Sequence, residues 1–141
     1  MSTIFTQIIK GEIPSRMVWS DDSCVGFLSI NPLGPGHSLV VPRAEVERWT
    51  ECDPDLLAHL TLVARTIAQA IETVWEPPRT GLSIAGFDVP HLHLHVFPAW
   101  SLDSFDFATA ADDVDAAEQD GYADQLREAL RAAGHGASVP D

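Results

Sequence analysis

The chain has 141 residues and a mass of 15.3 kDa, with 45% hydrophobic and 21% charged residues, which is typical of one folded domain. Its 21 acidic and 8 basic side chains give a net charge of −13, which repels phosphate backbones and anionic membranes. We therefore expect neither nucleic acid nor a membrane as a partner. The start of the chain lacks a basic segment followed by a long apolar one, which favours a cytoplasmic protein.

The first forty residues predict a short helix followed by antiparallel strands. Four apolar residues in segment 3–11 recur at helical spacing, and Gly11 with Pro14 ends the helix. Residues 17–19 and 24–28 are β-prone and flank a polar turn, which is typical of a hairpin. A turn rich in Pro and Gly then brings His37 to the start of a strand at residues 38–41.

A long amphipathic helix follows, and two further strands complete the predicted domain. Asp53 before Pro54 is a typical helix start. Six apolar residues at helical spacing are expected to face the protein core from this helix. They are Leu56, Leu60, Val63, Ile67, Ile71 and Val74. Strands are predicted at residues 81–85 and 91–97. This order of elements predicts an α+β fold, with an antiparallel-rich sheet packed on one main helix.

The last forty residues differ in composition from the rest of the chain. Residues 1–100 contain 11 acidic and 6 basic side chains, whereas residues 101–141 contain 10 acidic and 2 basic ones. One helix is predicted at residues 122–133, with Gly134 at its end. We therefore predict a domain at residues 1–100 and an acidic extension at 101–141, which folds onto the domain or onto a partner subunit.

The segment from His91 to Phe97 is the most informative part of the chain. It contains three of the six histidines, His91, His93 and His95, at alternate positions. On a strand these side chains share one face, whereas the apolar residues between them share the other face. The pattern predicts an exposed row of three imidazoles above an apolar core.

Three interpretations of this row follow from the residues. Single histidines on apolar strands are mostly hydrogen-bonded core residues, but three in register disfavour that explanation. Three imidazoles with one water could complete a tetrahedral zinc centre. Alternatively, one neutral imidazole attacks phosphorus while its neighbours bind the phosphate oxygens and transfer protons. Crowded, partly desolvated imidazoles lower one another's pKa, which favours the neutral nucleophile.

The pattern His-φ-His-φ-His-φ-φ, where φ is apolar, resembles the histidine triad (HIT) superfamily. The similarity extends over residues 3–98 and is greatest to the Hint branch, because the segments Gly11-Glu12-Ile13-Pro14, Ile30-Asn31-Pro32 and Pro35-Gly36-His37 also match. The resemblance implies a HIT-like α+β fold and a homodimer. It also implies nucleotidyl transfer from substrates of the form nucleoside-phosphate-X, without a cofactor or a metal in the chemical step.

By the same resemblance, His93 corresponds to the nucleophile that forms a covalent nucleotidyl-histidine. His91 and His95 correspond to residues that hydrogen-bond the phosphate and the leaving group, and His37 to a fourth histidine that orients the triad. Five apolar residues correspond to the wall around the base, namely Ile4, Phe5, Ile8, Phe27 and Ile30.

Several positions depart from the resembled pattern, including Phe87 and Ala99, and two of them are candidate binding residues. Ser29 stands where an aspartate usually binds the ribose hydroxyls, and Asp88 stands where a hydroxyl residue usually contacts the phosphate. Some family members also hold structural zinc through an N-terminal Cys-x-x-Cys, whereas residues 2–6 here contain no thiol. We therefore expect a nucleotide hydrolase or transferase with altered substrate preference. The alternatives are a nucleotide-binding or interaction module with little turnover, and a metal-dependent hydrolase.

Overall fold

The computed structural model describes residues 2–141 and has an α+β architecture. Five strands form one antiparallel sheet in the order β1-β2-β3-β5-β4. The strands are β1 (Met17–Ser20), β2 (Cys24–Leu28), β3 (Ser38–Pro42), β4 (Arg79–Ser83) and β5 (Leu94–Ala99), and the helices are α1 (Ile4–Ile9), α2 (Pro54–Trp75) and α3 (Ala116–Leu130). The predicted α+β class, the antiparallel sheet, the short first helix and the long second helix are confirmed. No helix among the described residues has the length and apolarity needed to span a membrane.

Helix α2 covers one face of the sheet. Its N-cap Asp53 accepts hydrogen bonds from the backbone N–H groups of Asp55 and Leu56, which stabilises the first turn. The helix lies so close to β2 that a Cβ on Gly26 would come within 3.0 Å of Ile67 Cδ1. Of the six residues expected to face the core, Leu60, Val63, Ile67 and Ile71 are buried. Leu56 and Val74, at the two ends of the helix, are only half-buried.

The other face of the sheet carries α1 and a second apolar cluster. Phe5 of α1 packs with Val25, Phe27, Leu39 and Val41. Two residues of β2 and two of β3 thus point away from α2, as the alternation of side chains along a strand requires. This face and α1 enclose the pocket described below.

The acidic C-terminal segment packs on the same chain. Two short 3₁₀ helices, Leu102–Phe105 and Phe107–Thr109, follow β5, and α3 then packs against α2 and β1. Leu126 and Leu130 of α3 are fully buried in the core that α2 forms. Helix α3 begins six residues earlier than predicted because Asp115 caps it. The division of the chain at residue 100 remains a prediction.

The fifth strand is shorter than the sequence pattern predicts. Strand β5 begins at Leu94, so His91 and His93 lie in an irregular segment before it, with a bend at His91. The last pair between β3 and β5 is Val40 with Leu94, and the backbone N–H of Leu92 bonds instead to the carbonyl of Val46. Pro42, at the end of β3, has no N–H with which to extend the ladder.

Candidate active site

A pocket of about 490 Å³ lies between α1, the α1-facing side of the sheet and the segment that contains the histidines. It brings together ten of the eleven residues that the sequence singled out, namely Ile4, Phe5, Ile8, Phe27, Ser29, Ile30, His37, Asp88, His93 and His95. The eleventh, His91, does not line the pocket. The predicted residues therefore converge on one site although they come from five segments of the chain.

The histidines are buried rather than exposed, which corrects the expectation of an exposed row. His91 is fully buried, and only 4% of His93 and 9% of His95 is accessible. Phe5 covers two of the rings, with centroid distances of 5.7 Å to His91 and 5.0 Å to His93. Phe107 covers the third, at 4.8 Å from His95. Aromatic side chains thus pack against all three rings of the triad.

Backbone hydrogen bonding fixes the proton of His93. Its Nδ1 lies 2.7 Å from the carbonyl oxygen of His91. A carbonyl only accepts hydrogen bonds, so Nδ1 carries the proton of the neutral ring. The other nitrogen, Nε2, consequently has a free lone pair, as a nucleophile requires.

A second chain of hydrogen bonds fixes the proton of His95. The backbone N–H of Leu33 donates to His37 Nδ1 at 2.9 Å, so the neutral His37 ring carries its proton on Nε2. This Nε2 lies 3.0 Å from His95 Nδ1 and must donate to it, which leaves the proton of neutral His95 on Nε2. His93 and His95 therefore have opposite tautomers: a lone pair on one Nε2 and an N–H on the other.

Burial keeps these rings neutral. Desolvation lowers the pKa of His37 to about 3, with a contribution from the neighbouring His95. Burial, together with the charge of His93, lowers the pKa of His95 to about 4 although Asp88 acts in the opposite direction. Burial also lowers the pKa of His93, against its bond to the His91 carbonyl and the charge of Asp88. All three imidazoles are uncharged at pH 7, as the crowding argument predicts.

His91 has a different environment from its two neighbours. Its Nε2 lies 2.8 Å from the carbonyl oxygen of Pro42, and its Nδ1 lies 2.7 Å from Thr3 Oγ1. Both ring nitrogens are engaged behind the pocket wall, so neither is free to bind a phosphate. The contact of His91 with substrate stays a prediction, and in this structure the segment turns out of the sheet before β5 and the ring does not line the pocket.

The two departures from the resembled pattern both lie at the pocket. Ser29 Oγ accepts a hydrogen bond from the backbone N–H of Asn31 at 3.2 Å, and its own proton remains available. Asp88 is exposed, and no side chain of residues 2–141 hydrogen-bonds its carboxylate. Its charge raises the pKa of both His93 and His95 against the stronger effect of burial. A carboxylate thus lines the same pocket as His93 and His95.

Three polar or aromatic residues of the pocket were missed by the sequence analysis. Phe107 contacts His95 from the acidic C-terminal segment. Asn31 joins the pocket rim to this segment by donating to the Ala111 carbonyl at 3.1 Å. Arg16 lines the pocket and forms an ion pair with Asp120 at 2.7 Å. The only sequence signal for Phe107 is an aromatic residue among Ala and Asp.

Metal-ligating side chains cluster elsewhere. Within residues 2–141, one group of three has ligand atoms within 4.8 Å of one another, namely Asp21, Cys24 and His59. It lies where α2 meets the β1–β2 turn, outside the pocket. At the N-terminus, Thr3 and Thr6 offer hydroxyl groups that are already hydrogen-bonded, rather than the thiolates that structural zinc sites use. These threonines do not fit a zinc site.

Comparison with known proteins places the chain in a family. Residues 10–101 match the family model described as the HIT domain, which covers more than half of the chain. The chain belongs to the HIT family. An uncharacterized HIT-like protein of Methanocaldococcus jannaschii is 33% identical over 104 residues, which are 71% of this chain and 81% of that protein.

Solved structures of HIT proteins have the same fold. A Zn-bound histidine triad family protein from Mycobacterium smegmatis is 27% identical with a TM-score of 0.82, over 96% of this chain and 98% of that one. A hypothetical histidine triad nucleotide-binding protein from Sulfolobus tokodaii is 25% identical with a TM-score of 0.78, over 92% of each chain. The α+β HIT fold of this chain is thereby confirmed.

The buried neutral histidines make the stability of this HIT protein pH-dependent. The pKa of His37 is lowered to about 3 and that of His95 to about 4, so between these values and about 6.5 the unfolded chain binds more protons than the folded one. The free energy of unfolding is therefore unaffected by protonation of these two rings above about pH 6.5 and decreases as the pH falls below it. We expect the free energy of unfolding, measured with urea, to decrease less between pH 7.5 and 4.5 in His37→Gln than in the unchanged protein. Equal slopes would contradict this assignment.

Proposed function

We propose that this HIT protein is a hydrolase or transferase that acts on nucleoside-phosphate-X substrates through a covalent nucleotidyl-His93 intermediate. The observation that carries the proposal is the pair of opposite tautomers. His93 and His95 both line the pocket, and His93 has a lone pair on Nε2 where His95 has an N–H. Such a pair can attack phosphorus at one ring while the other ring donates a hydrogen bond to the leaving group or a phosphate oxygen.

The first step forms a bond from His93 Nε2 to phosphorus. The P–X bond breaks, and its electron pair leaves with X. The Nδ1 proton stays on the ring, because the His91 carbonyl accepts it at 2.7 Å and stabilises the positive charge that develops on the ring. In the second step water attacks phosphorus, the N–P bond breaks, and its electron pair returns to Nε2. The proton released by water passes to solvent, which balances the proton that an amine X takes up from solvent and gives a net release of one proton when X is a phosphate.

His95 serves this reaction as a hydrogen-bond donor rather than as an acid. Its Nδ1 accepts the proton of His37, whose own Nδ1 is occupied by the Leu33 N–H. A second proton on His95 would set two N–H groups against each other, so the cation is disfavoured. An amine leaving group therefore takes its proton from solvent, whereas a phosphate leaving group needs none.

The remaining predicted residues are proposed to bind the nucleoside. Ile4, Phe5, Ile8, Phe27 and Ile30 line the pocket and offer an apolar surface for a base. Ser29 replaces the expected ribose-binding carboxylate with a hydroxyl group, which forms weaker hydrogen bonds because it is uncharged. Asp88 adds negative charge where an anionic phosphate must bind, which opposes binding.

The intermediate can be detected directly. We expect that rapid mixing with an adenylylated substrate, a quench without acid and intact-protein mass spectrometry will show an added nucleotidyl mass on the peptide that contains His93. His93→Ala should lose the adduct and more than about 10³-fold of turnover, as is typical when a nucleophile is removed. His135→Ala is the matched control, because His135 packs on Trp19 outside the pocket.

Other outcomes identify the alternative functions. An adduct on another residue, or near-normal turnover by His93→Ala, would reject the mechanism. Nucleotide binding without turnover would favour a binding or interaction module. Turnover that is lost with a chelator and regained with metal would favour the metal-dependent hydrolase.

The two departures should alter substrate preference. We expect the double variant Ser29→Asp with Asp88→Ser to turn over an adenosine phosphoramidate faster than the unchanged protein, because it removes a charge beside the phosphate and adds a charged acceptor for the ribose. Each single variant serves as a control for the other position. If kcat/KM of the double variant does not exceed that of the unchanged protein, these residues do not limit the site.

A homodimer is also proposed, with a nucleotide-like small molecule as the partner and the cytoplasm as the location. Strand β4 is at an edge of the sheet, and the nearby apolar residues Leu82, Trp100 and Leu102 are 51%, 53% and 87% exposed. An unpaired edge with apolar side chains favours association with a second copy. Light scattering should give about twice the chain mass of 15.3 kDa, and a monomer at micromolar concentrations would contradict the proposal.

A further inference from the structure

A hydrogen-bonded network behind the pocket links an exposed carboxylate to His91. Glu45, in the loop after β3, accepts hydrogen bonds through Oε1 from the Thr6 hydroxyl and, at 3.0 Å, from the backbone N–H of Thr3. Thr3 Oγ1 in turn lies 2.7 Å from His91 Nδ1 and accepts from the backbone N–H of Thr6 at 3.1 Å. Glu45 and the two threonines do not line the pocket, so the reaction described above does not use them directly.

With a neutral His91 ring, each proton of this network has one position, and the single hydroxyl proton of Thr3 goes to His91 rather than to Thr6 Oγ1, which lies 3.3 Å away. The carbonyl of Pro42 accepts from His91 Nε2, so the neutral ring has its lone pair on Nδ1. The Thr3 hydroxyl must therefore donate to Nδ1, because a lone pair cannot donate. The Thr6 hydroxyl donates to Glu45, whose carboxylate only accepts. The two hydroxyl protons thus point to opposite ends of the network, that of Thr6 to Glu45 and that of Thr3 to His91, and the Thr6 backbone N–H joins the two by donating to Thr3 Oγ1.

The fixed position of His91 in turn fixes the proton of His93. It is fully buried, and its ring is held at both nitrogens, so its backbone cannot rotate without breaking one of these bonds. The carbonyl of the same residue is the group that keeps the His93 proton on Nδ1. The network also anchors α1, because Thr3 is its N-cap and Phe5 of this helix packs on both rings.

We propose that Thr3, Thr6 and Glu45 are positioning residues, which hold His91 in its Nε2–H tautomer and thereby keep the Nε2 lone pair of His93 directed at the pocket. This inference rests on the proposed function of His93 as the nucleophile. None of the three residues touches the substrate in this arrangement; each acts through the next.

The surroundings of Glu45 favour its ionised form, which strengthens the hydrogen bonds that it accepts. The hydrogen bond from Thr6 lowers the pKa of Glu45, with a further contribution from the hydrogen bond of the Thr3 backbone N–H. No Lys or Arg of residues 2–141 forms an ion pair with Glu45, so its two donors are uncharged groups of α1. Hydrogen bonds to a charged acceptor are stronger than those between neutral groups, which suits a link between a loop and a helix of only six residues.

Two matched pairs of variants test the network. Thr3→Val removes the hydroxyl and keeps the shape of the side chain, whereas Thr3→Ser keeps the donor. Glu45→Leu removes the acceptor, whereas Glu45→Gln keeps an oxygen that can accept from both partners. Glu45 lies at the surface, so Glu45→Leu tests the network even if loss of the α1 cap prevents Thr3→Val from folding.

The first readout is the tautomer of each ring, from ¹⁵N NMR of the histidine nitrogens. In the unchanged protein we expect the proton of His91 on Nε2 and that of His93 on Nδ1. In Thr3→Val and Glu45→Leu, the share of His93 rings with the proton on Nε2 should rise, while Thr3→Ser and Glu45→Gln keep the original pattern. Unchanged tautomers of both histidines in Thr3→Val and Glu45→Leu would overturn the proposal, whatever happens to activity.

The second readout is turnover of an adenosine phosphoramidate. We expect kcat to fall about 10- to 100-fold in Thr3→Val and Glu45→Leu, the size typical of misplaced or unsupported reactive groups, with a smaller change in KM and recovery in Thr3→Ser and Glu45→Gln. If the tautomers shift but the unchanged protein forms no adduct at His93, the positioning role is upheld and the proposed nucleotidyl transfer is rejected. Shifted tautomers with an unchanged kcat would overturn the link between the network and the reaction.

Discussion

The hydrogen bond from His93 Nδ1 to the carbonyl of His91 is the interaction on which the rest of the site depends. An imidazole can be a nucleophile only at its unprotonated nitrogen, and this bond at 2.7 Å determines which nitrogen that is. The bond joins two residues of one short segment, but the segment can adopt this conformation only because it leaves the sheet before β5. The irregular backbone between Val89 and Leu94 is therefore what supports the proposed chemistry.

The site combines neutral rings with a strongly acidic protein. A net charge of −13 opposes the approach of an anionic substrate, and positively charged histidines would offset it. Burial prevents this, because it lowers the pKa of His37, His93 and His95. Neutral rings do not attract an anionic substrate, but they keep a nucleophilic lone pair available at neutral pH. In the proposed reaction the substrate is therefore bound by the apolar pocket residues and by N–H groups rather than by positive charge.

The C-terminal segment contributes to the site as well as to the fold. Phe105 and Phe107 pack on the face of β5 opposite α2, at 5.0 Å from Phe97 and 4.8 Å from His95. A Cβ on Gly81 would collide with the Phe97 ring at 2.5 Å, so the absence of a side chain there makes room for this aromatic cluster. The acidic segment thereby helps to exclude water from His95, which supports its low pKa.

The sequence by itself determined the fold class and most of the pocket. The alternation of His and apolar residues, the cap at Asp53 and the turns rich in Gly and Pro are local patterns, and the period of side chains along a strand or helix translates them directly into faces. The resemblance to the HIT family indicated ten of the residues that line the pocket. Only the tertiary structure decided that the imidazoles are buried, that His91 does not line the pocket, that Phe107 packs on His95, and that Glu45 bonds to the two threonines beside His91. These features depend on contacts between segments far apart in the chain, such as Glu45 with Thr6 and Phe107 with His95. Local patterns contain no information about such contacts, because burial depends on packing between distant segments, and the protons of His91 and His95 are placed by Pro42 and His37.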